Sequence, residues 1–176
     1  MEDTGKAALS LARSAVETYC RKEEVISPPS DLPGKLTEEE SGVFVTIEKR
    51  GDLRGCTGTF QPTRENIARE IIYNAIGSAF RDPRFKPVGP AELDDLVYTV
   101  SFLSEPEKIT GPDELDPDRY GVIVEKGQRR GLLLPDLEGV DTVEQQLEIA
   151  RRKAGIASGE AGVDLKRFEV EKYSEE

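Results

Sequence analysis

The feature that most limits what this chain can fold into is a pair of strand-like runs meeting at a three-residue turn. Gly42–Lys49 alternates Val43, Val45 and Ile47 against Phe44, Thr46 and Glu48, the period of a half-buried strand. Arg50-Gly51-Asp52 then reverses the chain into Leu53–Phe60, with Gly51 free to take the positive φ a tight hairpin needs. Tyr120–Lys126 and Arg130–Leu134 repeat the arrangement around Gly127. Strands that arrive as hairpins must pair antiparallel. The helical patterns fall between the hairpins instead of alternating with single strands, which predicts an α+β fold with a mainly antiparallel sheet flanked by helices.

Three segments carry the helical period. Thr4 to about Arg21 places Ala8, Leu11, Ala12, Ala15, Val16 and Tyr19 on one stripe, with Cys20 continuing it as a buried, inert thiol. Thr63 to about Phe80 has a wide apolar face, with Thr63 expected as N-cap and Glu65 in the first turn. It must stop before Pro83, because the residue preceding a proline is pushed out of helical geometry. A third helix is expected to start at a capping box of Asp141 and Glu144 and to run to Ala154, with Gly155 as its C-terminal cap. Ala91–Leu96 reads as a short helix, Val97–Leu103 as a strand and Arg167–Tyr173 as the last strand. Ser27–Ser41, with three prolines and three consecutive glutamates, reads as a linker or surface wrap.

Composition removes several chemistries. The 176 residues contain no histidine, so no Cys-His dyad, Ser-His-Asp triad or His-ligated metal can come from this chain. The net charge of -11 repels nucleic-acid phosphates and makes nucleic acid a poor partner. No apolar run approaches a membrane span, and two cysteines make no disulfide framework. The protein is therefore expected to be cytoplasmic, with Cys20 and Cys56 reduced. Dinucleotide, P-loop, Cys-x-x-Cys and EF-hand motifs are missing, so no cofactor or metal is named.

What remains is Leu53-Arg54-Gly55-Cys56-Thr57-Gly58-Thr59-Phe60, a thiol between two glycines beside a guanidinium. Regular alternation would put Arg54, Cys56, Gly58 and Phe60 on one face. Glycines inside a strand mark a place where something comes close to the backbone, so Cys56 is a candidate reactive thiol and Gly55 and Gly58 candidate ligand contacts. The competing reading is that small residues merely let a helix or second lobe pack tightly. Arg81-Asp82-Pro83-Arg84-Phe85 offers guanidinium forks for an anion, an aromatic face, and in Asp82 a proton acceptor or orienter; its plainer reading is a helix-ending loop with an internal ion pair. Arg130, at the second hairpin, is a weaker candidate ligand contact.

These segments together resemble the AMMECR family, called AmmeMemoRadiSam system protein A in bacteria and archaea. The resemblance rests on Leu53–Gly58, Ala79–Phe85, Gly121–Val124 with Gly127, Arg130–Pro135, and Lys153-Ala154-Gly155 with the closing strand. Two departures stand out: Thr57 replaces the usual isoleucine or valine, and Val140-Asp141-Thr142 lacks a tryptophan often found before the late helix. The resemblance implies two lobes with a cleft between them, the larger from residues 1–107 and 158–176, the smaller from 108–157. Arg54 and Cys56 would line the cleft. The system name implies a radical SAM protein and a Memo-type protein as partners and assigns no reaction. Two functions stay open: a cleft protein handling a small molecule with its Cys/Arg motif, or a noncatalytic adaptor docking a partner on the same surface.

Overall fold

A computed structural model describes residues 2–175. The elements run α1 (Glu2–Lys22), α2 (Gly34–Glu38), β1 (Gly42–Lys49), β2 (Asp52–Gly58), α3 (Ile67–Phe80), a 3-10 segment (Pro90–Asp95), β3 (Leu96–Leu103), β4 (Glu107–Ile109), a 3-10 turn (Pro112–Glu114), β5 (Gly121–Lys126), β6 (Arg129–Leu133), α4 (Val143–Ala154), β7 (Asp164–Phe168) and β8 (Val170–Ser174). They form two compact units. One takes in the chain up to Leu103 and again from Glu171 onward; the other is Ser104–Val170.

The first unit holds a sheet ordered β2-β1-β3-β8, and β1 pairs antiparallel with both β2 and β3. Val43, Val45 and Ile47 of β1 and Tyr98 and Val100 of β3 are fully buried, in one core with the apolar stripes of α1 and α3. Phe44, Thr46 and Glu48, on the opposite face, are half-buried. One face is thus covered by helices and the other carries Phe44 beside polar side chains.

The second unit holds the sheet β4-β7-β5-β6, all of whose pairs are antiparallel, with a core of its own around Val122, Val124, Leu133 and Ala150. The expected last strand is in fact two: β7 completes this sheet and β8 pairs in the other.

Two helix starts differ from expectation. α3 is capped at Asn66, whose side chain accepts from Arg69 N. Thr63 lies outside the helix because the buried Glu70 carboxylate takes its N–H at 2.8 Å, its hydroxyl at 2.8 Å and Arg64 N at 2.9 Å, holding the preceding turn as a loop. In α4 the capping box is Thr142 with Gln145, one residue later than the Asp141–Glu144 pair; Gly155 closes the helix at φ 69° as expected. A five-residue helix also interrupts the Ser27–Ser41 segment.

Candidate functional site

The register of the first hairpin decides how Cys56 is presented. Lys49 faces Asp52 and Glu48 faces Leu53, but Ile47 faces Gly55 and Thr46 faces Cys56. One residue of β2 is therefore extra, a bulge at Arg54 that interrupts the alternation expected along the whole stretch. Beyond the bulge the alternation resumes. Gly55 and Thr57 point to α3, while Cys56 and Gly58 point to the face bearing Thr46 and Phe44.

Both glycines are small for the protein's own sake. A Cβ on Gly55 would land on the carbonyl oxygen of Ser78 in α3, and one on Gly58 would enter the Phe44 ring. The expectation that Gly55 and Gly58 open room for a ligand is corrected here, because helix backbone and an aromatic side chain already fill that room.

Cys56 itself is half-buried, with Sγ 3.3 Å from Thr46 Oγ1. β2 is an edge strand, and edge N–H groups need partners. The Cys56 N–H donates outward to Asp82 Oδ2 at 3.0 Å. Because it points away from β1, Thr46 and Cys56 form a pair without ladder hydrogen bonds, the kind in which side chains approach most closely. Asp82, its side chain 3% exposed, also accepts from Arg84 Nη2 at 2.7 Å, Arg84 Nε at 3.0 Å and Arg84 N at 3.1 Å.

The Arg84 guanidinium, with the two backbone N–H donors, holds the Asp82 carboxyl far below the usual carboxylate range despite its burial. A carboxylate that acidic is a poor proton acceptor near neutral pH, so of its two expected roles the geometry favours orienter. Arg84 is raised in turn, chiefly by its hydrogen bonds to Asp82, and 56% of its side chain stays exposed.

Arg54 is not available to an anion in the expected way. Its Nε and Nη2 donate to Glu92 Oε1 and Oε2 at 3.0 and 3.1 Å, and its side chain is only 14% exposed. Glu92 also takes Lys49 Nζ at 2.9 Å and Gly89 N at 3.0 Å, and these donors, Arg54 first, lower its carboxyl to about 2. Phe85 sits between the two arginines, its ring centre 6.0 Å from the Arg54 guanidinium carbon and 5.5 Å from that of Arg84. The result is one polar seam: Glu92, Arg54, Phe85, Arg84, Asp82, then the backbone of Cys56.

Two expected members fall outside the seam. Arg81 caps the end of α3 and lines a groove with Thr57, on the helix side of β2. Arg130 belongs to the second unit, where its Nε meets Glu125 Oε1 at 2.5 Å. The other thiol, Cys20, donates to Val88 O at 3.6 Å, and burial pushes it up. Both cysteines are free.

Sequence reasoning missed Thr46 and Glu92. A regular hairpin closed at Arg50-Gly51 pairs Thr46 with Gly55, so only the bulge brings Cys56 opposite it. Glu92 is 38 residues from Arg54 and carries no motif. Among the described residues no group of His, Cys, Asp and Glu is arranged to hold a metal ion, and no helix is long and apolar enough to cross a membrane.

Two α+β units, the first carrying a bulged Cys/Arg strand tied to the loop after its central helix, define the class of protein. The model of the AMMECR1 family matches residues 9–173, and the chain belongs to that family. A protein of Thermotoga maritima is 55% identical over 159 residues, covering 90% of this chain and 91% of that one. A Clostridium acetobutylicum protein is 48% identical over 171 residues, 95% of this chain but 36% of that longer one. The crystal structure of an uncharacterised protein from Pyrococcus horikoshii is similar with a TM-score of 0.90 at 37% identity, covering 98% of this chain and 91% of that one.

Proposed function

We propose that the chain handles a small molecule at Cys56, with the thiol as the contacting group and the exposed edge of Arg84 as the site's anion-binding donor. The observation that carries this reading is that the Cys56 sulfur is presented on the sheet face away from the helices while its backbone is clamped by Asp82. Such clamping fixes a side chain's position without using up its reactive atom. Arg54 and Asp82 act through that clamp, Arg54 by holding the bulge and Asp82 by holding the edge. The family resemblance suggests that the molecule is shared with a radical SAM protein and a Memo-type protein. Alkylating the native chain with iodoacetamide tests it: Cys56 should react well ahead of Cys20, and equal rates would rule out a special role for the Cys56 thiol.

A second reading, a noncatalytic adaptor, is favoured by one specific feature. The carboxylates of Asp82 and Glu92 are engaged by Arg84, Arg54 and neighbouring N–H donors, and the chain has no histidine to serve as a base. A Cys56→Ala variant separates the readings, because an adaptor surface should lose partner capture and a small-molecule site should keep it.

A further inference from the structure

On the helix side of β2, independent of the Cys56 seam, lies a groove of about 240 Å³ between the strand's end and α3. Its α3 wall is one helical stripe that ends at Arg81, and Arg64 enters from the preceding loop. The Arg64 guanidinium carbon sits 3.9 Å from the centre of the Tyr73 ring, a contact that fixes the cation without neutralising it. Neither Arg64 nor Arg81 has an acidic side-chain partner among the described residues, although this acidic chain pairs many of its other cations.

The groove's one carboxylate is spent. Glu70, 1% exposed, accepts the Thr59 hydroxyl at 2.7 Å, the Thr63 hydroxyl and N–H, and Arg64 N. It therefore offers no acceptor to the groove, and the two guanidinia outweigh its charge by one. Thr57 also lines the groove and carries a hydroxyl, a neutral donor.

We infer that this groove binds a small phosphate-bearing anion. Two guanidinium groups and a threonine, carried by three different segments, suit a tetrahedral oxyanion with three or more acceptor oxygens better than a planar carboxylate. The groove has room for the phosphate and a small attached group. The source is either free phosphate or a phosphate monoester, and both present the same oxygens.

The test is an amide NMR titration of the whole chain at constant ionic strength with inorganic phosphate, phenyl phosphate and acetate. Saturable shifts centred on Thr57, Tyr73 and Arg81 are expected with both phosphates, and acetate should bind about tenfold more weakly. Tighter binding of phenyl phosphate than of inorganic phosphate points to a monoester, and equal binding to the free ion. Arg81→Gln and Arg64→Gln, both exposed positions, should each weaken binding about tenfold, with thermal melts confirming the fold. The inference is overturned if neither phosphate saturates, if the shifts centre elsewhere, if acetate matches phosphate, or if both variants bind like the parent.

Discussion

The two hairpins of this protein use the same device and diverge in one residue. In each, a glycine of the second strand lies against the backbone of a helix: Gly55 on Ser78 O of α3, Gly131 on Ala150 O of α4. The β5–β6 register runs without a break from Lys126–Arg129 to Val122–Leu133, whereas β1–β2 carries the bulge at Arg54. Arg129 and Arg130 pair with the nearby Glu160 and Glu125. Arg54 and the Cys56 backbone are instead bound to the segment from Asp82 to Glu92. Glycine beside a strand cysteine is therefore architecture. What sets the first hairpin apart is the bulge and the carboxylate that caps its edge.

The largest effects are expected at the two glycines. Gly55→Ala and Gly131→Ala each drive a methyl into a helix carbonyl that cannot move without its helix, and each should cost about 3 kcal/mol. Denaturant midpoints measure this; tolerance at Gly55 with intolerance at Gly131 would show that the Cys56 strand has slack the other hairpin lacks.

Asp82→Asn comes next. It leaves Arg84 unpaired and replaces a charged acceptor of the Cys56 N–H with a neutral one, for an expected loss of about 2 kcal/mol. Its pH signature has a definite sign. The folded Asp82 carboxyl is depressed below its unfolded value near 3.9, and Glu92 is lowered to about 2. Both contributions are complete above about pH 5 and fade as pH falls through the folded values. The parent should lose stability steeply on acidification, and Asp82→Asn should follow a shallower curve.

The turns give the smallest effect. Arg50 and Gly51 both have positive φ, at 54° and 83°, the pattern of a type I′ turn; in the second hairpin Gly127 at 61° takes the positive value alone. Gly51→Ala and Gly127→Ala should each cost about 1 kcal/mol, read from the shift in melting temperature.

Much of this fold was legible in the sequence, because β1, α1 and the buried face of α3 follow periods of 2 and 3.6 that apolar burial enforces. Gly51, Gly127 and Gly155 were legible because positive φ selects glycine. The site was less so. A bulge formed at an arginine leaves no glycine signal of its own, and it breaks the alternation expected to set Arg54 and Cys56 on one face. Glu92 was silent because ion pairs across 38 residues have no period. The division of the last strand into β7 and β8 was hidden by a run of residues suited to either sheet.

The proposed role requires Cys56 to be a held but available thiol. The most direct measurement is the ratio of iodoacetamide modification rates at Cys56 and Cys20 in the native chain, followed by peptide mass spectrometry. Cys20 is retarded by its bond to Val88 O and by a thiol pushed up by burial, so Cys56 should react at least about tenfold faster. Equal rates, or a faster Cys20, would contradict it.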